Sequence, residues 1–148
     1  MPAGPRAHCG GGCVESLLVQ FTTHRHLPAD EDLDGAVLYL ETSESVPEPW
    51  IVESLLTGLG ERGWLSRFAA VLVGRPKAWA LDKHSTREWK RDYRATQRAT
   101  VRDAIRAYDA DLPIVQNLDF GHTHPQVIVP SGGRAVIDAD ARTVTFDY

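Results

Sequence analysis

The sequence of 148 residues lacks the features that assign a chain to several specialised classes of protein. Two cysteines are too few for a disulfide framework, which favours a reducing compartment, the cytoplasm. The apolar runs fall far short of the roughly 18 residues that a membrane-spanning helix needs, and the first residues have no apolar core of a secretory signal. The formal net charge of −4 gives no overall attraction to nucleic acid. We therefore expect a cytoplasmic domain that binds neither nucleic acid nor membranes.

The remaining composition, with 43% hydrophobic and 24% charged residues, is that of one globular domain. Residues 1–12 contain three consecutive glycines and two prolines, and we predict that they form neither a strand nor a helix. They are interpreted as a linker or loop that precedes a domain at 13–148. A simple N-terminal tail is the alternative.

Helical and strand patterns alternate along residues 13–148. Apolar periodicity predicts helices over 13–21, from Pro49 to the glycines at 60 and 63, and over 86–108. Apolar runs predict strands at 36–41, 68–74, 114–118, 126–129, 135–138 and 143–146. The helix that begins at Pro49 is expected to turn Trp50 inward together with its leucines. This order predicts a mixed α/β domain and not a clean βαβ repeat.

The helix predicted at 86–108 carries seven of the 16 lysine and arginine residues. One interpretation of this basic face is a nucleic-acid surface. The other is a solvated face that Glu88, Asp92 and Asp103 partly neutralise. We favour the second, because no stacking aromatic side chains interleave the basic stripe.

Two residues are candidates for acid–base chemistry. Glu41 ends an apolar strand, where a rigid element meets solvent. His122 lies between Gly121, which removes side-chain bulk, and Pro125, which stiffens the following turn. Histidine is the side chain that exchanges protons near neutral pH, so His122 is a candidate proton shuttle. Both residues have plainer interpretations, a charge that closes a strand and a loop histidine with a structural hydrogen bond.

A glutamate and a histidine are two parts of a Ser–His–acid triad, but a nucleophile is not evident. No serine is framed by the G-x-S-x-G pattern of a nucleophile elbow. Cys13 follows glycines and opens a helix, yet no strand is predicted before it, which weakens a cysteine nucleophile. A third possibility is a metal site in which His122 and His124 alternate along an extended segment and bind one ion with a nearby aspartate.

Four separated motifs resemble the C-terminal domain of the LD-carboxypeptidase family of serine peptidases. They are GGCVESL at 11–17, DLDGAVLYLETSE at 32–44, LVGRP at 72–76 and DFGHTHP…VPSGG at 119–133. The resemblance covers about residues 11–148. The ETSE and GRPKAW segments are closer to the microcin C immunity carboxypeptidase branch than to the murein-recycling branch.

The resemblance implies a β/β/α swivelling-type domain that supplies Glu41 and His122 to a Ser–His–Glu triad. The serine and an oxyanion-hole donor are expected on an N-terminal nucleophile domain of the same protein. The implied substrates are short peptides or peptide conjugates with a free carboxylate, the implied assembly is a homodimer, and no metal or organic cofactor is implied.

Two departures from the family affect the expected activity. Immunity-type members usually read GHTDP, whereas position 124 here is His124. The nucleophile domain has no counterpart in these 148 residues, so this chain is expected to be inactive alone. The alternative is a non-catalytic remnant that serves as a dimerisation or ligand-binding module.

Overall fold

The computed structural model describes residues 7–80, 82 and 84–148. The strands are β1 (Ala7–Cys13), β2 (Val37–Glu41), β3 (Ala70–Gly74), β4 (Ile114–Leu118), β5 (Arg134–Asp138) and β6 (Thr143–Asp147). The helices are α1 (Val14–Thr23), α2 (Pro49–Glu61) and α3 (Arg87–Arg106), with short 3₁₀ turns at Asp30–Leu33 and Leu65–Arg67. None of the helices in these ranges is long and apolar enough to span a membrane.

The six strands form one curled sheet in the order β4-β3-β2-β1-β5-β6. Strands β1 to β4 are parallel, and β5 and β6 form an antiparallel hairpin beyond β1. Alternate strand residues such as Leu40 and Val71 pack with the three helices on one face. Strand residues on the opposite face, such as Val37 and Leu72, pack with the hairpin. The layers are therefore hairpin, parallel sheet and helices, which confirms the mixed β/β/α architecture predicted above.

The prediction that the glycine-rich start forms no strand is wrong for residues 7–12. They belong to β1, which pairs with β2 on one side and with β5 on the other. At Gly11, where φ is +147°, a Cβ would collide with the carbonyl oxygen of Tyr39. Glycine is therefore what lets β1 approach β2, and hydrogen bonds to two neighbouring strands offset the low strand propensity of the segment. The rest of the predicted linker, residues 1–6, lies outside the described residues.

The presence of β1 makes the topology different from the one expected. The chain runs β1-α1-β2-α2-β3-α3-β4, which is three successive βαβ units, so the expectation of no clean repeat is wrong for residues 7–118. The strand predicted at 126–129 is also wrong, because those residues form an irregular segment before β5. The remaining predicted helices and strands are confirmed, and β4 has the predicted bounds of 114–118.

The side chains of α2 and α3 differ in two places from the predicted faces. Trp50, expected to point inward, is 63% exposed, because it lies in the first turn of α2 beyond the edge of the core. Arg94, expected on a solvated basic face, donates from Nε to the Pro76 carbonyl (2.9 Å) and from Nη2 to the Lys77 carbonyl (3.0 Å). This arginine joins α3 to the segment that follows β3.

Candidate catalytic site

Glu41 is the last residue of β2 and lies at the carboxyl edge of the parallel strands. It is opposite Cys13 in the β1–β2 register, and its side chain is only 11% exposed. Loops that follow parallel strands meet at this edge, which is where open α/β sheets bind their ligands. The strand thus presents a largely buried carboxylate at the position expected for a functional group.

Arg75 braces the loop that follows β4. Its Nη2 donates to Asp119 Oδ1 (2.6 Å) and to the His124 carbonyl (3.0 Å), and its Nε donates to the buried hydroxyl of Thr123 (3.1 Å). One guanidinium therefore ties three points of the loop to the end of β3. Such bracing limits the movement of His122, which lies between two of those points.

The same loop places His122 against Glu41. His122 Nδ1 lies 2.6 Å from Glu41 Oε2, and the backbone N–H of His122 donates to the same oxygen at 3.1 Å. Gly121 makes this approach possible: its φ is +80°, and a Cβ there would lie 2.5 Å from the Cβ and Oε2 of Glu41. The two residues singled out from the sequence are thus in contact although they lie 81 positions apart along the chain.

A second carboxylate, which the sequence reasoning did not single out, contacts the other ring nitrogen. Glu44 Oε2 lies 3.0 Å from His122 Nε2, and its side chain is 60% exposed. Within the described part of the chain, the nitrogens of this imidazole contact carboxylates and no hydroxyl. Only the position of Glu44 three residues beyond the end of β2 hinted at this arrangement.

Glu15, in the first turn of α1, holds the turn that carries Glu44. Its carboxylate accepts hydrogen bonds from the backbone N–H of Ser43 (3.2 Å), from the Ser43 hydroxyl and from the Ser45 hydroxyl (3.0 Å). Burial opposes its ionisation, but the hydrogen bond from Ser43 and those from its own N–H, Cys13 and Ser45 together lower the pKa of Glu15. Glu15 is therefore an anionic anchor beneath the candidate site.

Cys13 lies beside the site but has the properties of a structural thiol. The prediction that no strand precedes it is wrong, because β1 ends at this residue and α1 follows directly. Burial raises the pKa of the Cys13 thiol, and its Sγ donates to Glu15 Oε2 at 3.3 Å, which raises it further. Because the thiolate is the nucleophilic form, this environment does not activate Cys13.

An open groove of about 350 Å³ runs past the exposed side of His122. It is lined by Glu41, Lys77, Gly121, His122, His124 and Gln126. Among the residues in the described ranges, no group of three His, Cys, Asp or Glu side chains is arranged to hold a metal ion. The structure therefore gives no support to the metal site considered for His122 and His124.

The family known as LD-carboxypeptidase C-terminal domain matches residues 6–137. The chain belongs to this family. A relative from Streptomyces coelicolor, named as a carboxypeptidase, is 29% identical over 147 residues, which are 99% of this chain and 41% of the relative. A relative from Bacillus subtilis, named as a murein peptide carboxypeptidase, is 25% identical over 93% of this chain and 40% of its own length.

The architecture of this LD-carboxypeptidase C-terminal domain is also found in solved structures. An MccF-like protein from Streptococcus pneumoniae, solved in complex with AMP, has a TM-score of 0.73 and 31% identity over 97% of this chain and 41% of its own. The chain thus spans about two-fifths of the length of these relatives. The resemblance predicted from the four motifs is confirmed, and it extends over nearly the whole chain.

Proposed function

We propose that this chain is the C-terminal catalytic half of a serine carboxypeptidase of the LD-carboxypeptidase or microcin C immunity type. In this proposal Glu41 and His122 are catalytic residues, and a serine from outside these 148 residues completes the triad. The contact of 2.6 Å between Glu41 Oε2 and His122 Nδ1 is the observation that carries the proposal. The names of the relatives supply the reaction class.

The geometry suits a general base. With Nδ1–H held by the shielded carboxylate of Glu41, the lone pair of the neutral ring lies on Nε2, the nitrogen that Glu44 now contacts. Nε2 would take the proton of the attacking hydroxyl and later give it to the leaving amine, while Glu41 stabilises the imidazolium that forms in between. The oxyanion-hole donor, like the serine, would come from the nucleophile domain.

The groove supports a substrate that ends in a free carboxylate. Lys77 lines it, with its ammonium group 4.6 Å from the centre of the Trp79 ring. A lysine beside the reacting groups complements a peptide carboxylate by charge. The proposed substrates are accordingly short peptides or peptide conjugates. A cytoplasmic location and a homodimer complete the proposal, with an N-terminal nucleophile domain as the essential partner.

Hydrolysis measured with and without a nucleophile domain tests this function. The 148-residue chain is assayed for release of a C-terminal amino acid from a short peptide, alone and mixed with a separately produced nucleophile domain of the family. We expect release only in the mixture. Glu41→Gln or His122→Asn should lower that rate by about 10³-fold or more, since triad members act as a unit.

The matched control is Glu53→Gln, which removes one charge from an exposed position of α2 and should leave the rate unchanged. Turnover by the isolated chain at an ordinary enzyme rate would contradict the division of the triad between two segments. A mixture that associates but releases no amino acid would favour the non-catalytic dimerisation or ligand-binding module instead.

A further inference from the structure

The contact between His122 and Glu44 conflicts with the role of a general base. Both Glu41 and Glu44 are carboxylates, which accept hydrogen bonds and cannot donate them when ionised. The two contacts, at 2.6 Å to Nδ1 and 3.0 Å to Nε2, are both hydrogen bonds only when the ring carries a proton on each nitrogen. A ring in that state has no lone pair with which to take a proton from a hydroxyl.

Resting on the proposed function, we propose that Glu44 is a positioning residue that occupies Nε2 of His122 until the nucleophile replaces it. Nε2 is the nitrogen that the hydroxyl must reach, and Glu44 now lies at hydrogen-bond distance from it. The serine therefore has to displace the Glu44 carboxylate when the two catalytic segments meet. This keeps the imidazole oriented while the nucleophile is away.

The surroundings make Glu44 suited to such a displacement. Its backbone lies in a turn whose flanking residues Ser43 and Ser45 are both hydrogen-bonded to Glu15, so the turn is held. Its side chain is 60% exposed, in contrast to the 11% of Glu41, and can swing into solvent at little cost. The turn thus stays in place while the carboxylate leaves the ring.

The other charged and titratable groups near His122 lie on different sides. Lys77 and His124 line the groove with it, and Arg75 is paired with Asp119 at 2.6 Å behind the loop. Neither Lys77 nor His124 makes a hydrogen bond to the His122 ring among the described residues. Removal of Glu44 therefore tests one contact at Nε2 without disturbing the Glu41 contact at Nδ1.

Acylation of histidine by diethyl pyrocarbonate measures this contact directly, because the reagent attacks an imidazole nitrogen that has a free lone pair. The folded 148-residue chain is treated, digested and analysed by mass spectrometry, and the rate at His122 is divided by the rate at the exposed His26. In Glu44→Ala we expect this ratio to rise several-fold over that of the wild type. Glu44→Gln should raise it less than Glu44→Ala, because a glutamine amide N–H can donate to the lone pair of Nε2.

Glu53→Ala is the matched control and should leave the ratio unchanged, because that carboxylate lies on an exposed position of α2. An unchanged ratio in Glu44→Ala would overturn the proposal. The experiment needs no nucleophile domain. An unchanged ratio would therefore overturn the role of Glu44 but not the proposed hydrolase function. A raised ratio without hydrolysis in the mixture would count against the hydrolase function but not against the contact of Glu44 with His122.

Discussion

At the scale of residues, three glutamates around one histidine have different environments and therefore different roles. Glu41 is shielded and bonded to both the ring and the backbone of His122, which suits a group that fixes the ring. Glu44 is exposed and contacts the ring at Nε2. Glu15 does not touch the ring but holds the turn between the other two. Burial and the number of donors, more than residue type, distinguish an orienting carboxylate from an exchangeable one and from an anchor.

Gly121 is expected to be the most sensitive backbone position of the site. Gly121→Ala places a Cβ 2.5 Å from Glu41 atoms at a φ of +80°, and should cost about 2–4 kcal/mol of unfolding free energy. Gly132→Ala is the matched control, with a φ of +74° and nothing within 4 Å of the added Cβ, and should cost only about 1 kcal/mol. Urea unfolding measures both. If both variants lost the same unfolding free energy, the Cβ added at position 121 would not be crowded by Glu41.

Glu15 should make stability depend on pH in the acid range. Its pKa in the folded protein is below the ordinary 4.5, so its contribution is complete above that pH and is lost as the pH falls through the folded-state value. Glu15→Gln should be less stable by about 0.5–1.5 kcal/mol at neutral pH, because the carboxyl is only part-buried. Urea unfolding at neutral pH and near pH 3.5 should show this difference shrinking with acidification. If the stability difference between the wild type and Glu15→Gln grew at acid pH, the lowered pKa of Glu15 would be contradicted.

The sequence predicted part of this site. Glu41 and His122 could be singled out because each lies at a local signal, a strand end and a glycine–proline bend. Glu44 has only its position three residues beyond a strand end, and Glu15 has no such signal. Glu15 reads as an ordinary acidic residue in the first turn of a helix, and its link to Ser43 joins positions 28 residues apart. That contact depends on how α1 packs against the end of β2, which no local pattern specifies.

At the scale of elements, α3 fixes the position of the loop that leads from the end of β2 to α2. Thr86 caps the helix by accepting from the backbone N–H of Trp89 at 3.1 Å, and Tyr93 and Gln97 both donate to the Pro47 carbonyl at 2.8 Å. Burial raises the pKa of Tyr93 to about 12, so its hydroxyl remains a donor. Two side chains of α3 thus bind the same backbone carbonyl, that of Pro47, in the loop that precedes α2.

Arg94 connects α3 in the same way to the segment after β3, and its replacement should lower the free energy of unfolding. Burial lowers the pKa of its guanidinium, with Arg75 and Arg98 adding to the effect, yet its two hydrogen bonds to carbonyls keep it in place. Arg94→Ala should cost about 1–3 kcal/mol of unfolding free energy, since it leaves two carbonyls unpaired. Arg102→Ala, which breaks only an exposed pair with Asp103, should change it by less than about 0.5 kcal/mol. If urea unfolding gave similar free-energy changes for the two variants, the prediction of a uniformly solvated basic face would be right after all.

Most elements could be predicted because their periodicity is local, whereas β1 could not. A run of three glycines has no strand propensity of its own. It becomes a strand because β2 and β5 supply partners on both sides, and β5 lies more than 120 residues further along the chain. The prediction of a solvated Arg94 is wrong for a similar reason. Helical periodicity places this residue beside Val101 and Ile105, but the carbonyls that it binds belong to the segment after β3, which no pattern within α3 reveals.

At the scale of the whole molecule, the curled sheet separates two cores and leaves the site at one edge. The helices cover one face of the parallel strands and the β5–β6 hairpin covers the other, so both faces of β2 and β3 are buried. In the strand order β4-β3-β2-β1-β5-β6, β1 joins the parallel strands to the hairpin. The strand order could therefore not be deduced from a sequence analysis that lacked β1. The loop that carries His122 then runs from β4, at one edge, toward β5 on the far side of β1.

Two residues of this loop and the residue that follows β6 expose apolar side chains, from which we expect self-association of the isolated chain. Val127, Ile128 and Tyr148 are 52%, 75% and 84% exposed, and the Tyr148 hydroxyl donates to the Ile128 carbonyl at 2.7 Å. A contiguous apolar patch favours association, whereas single exposed apolar residues do not. Sedimentation velocity should therefore show a mass that rises with concentration, and Ile128→Ser should reduce the rise. Val19→Ser, which removes an exposed apolar side chain of α1 outside this loop, should not. A strictly monomeric wild type over a wide concentration range would contradict this role of the patch.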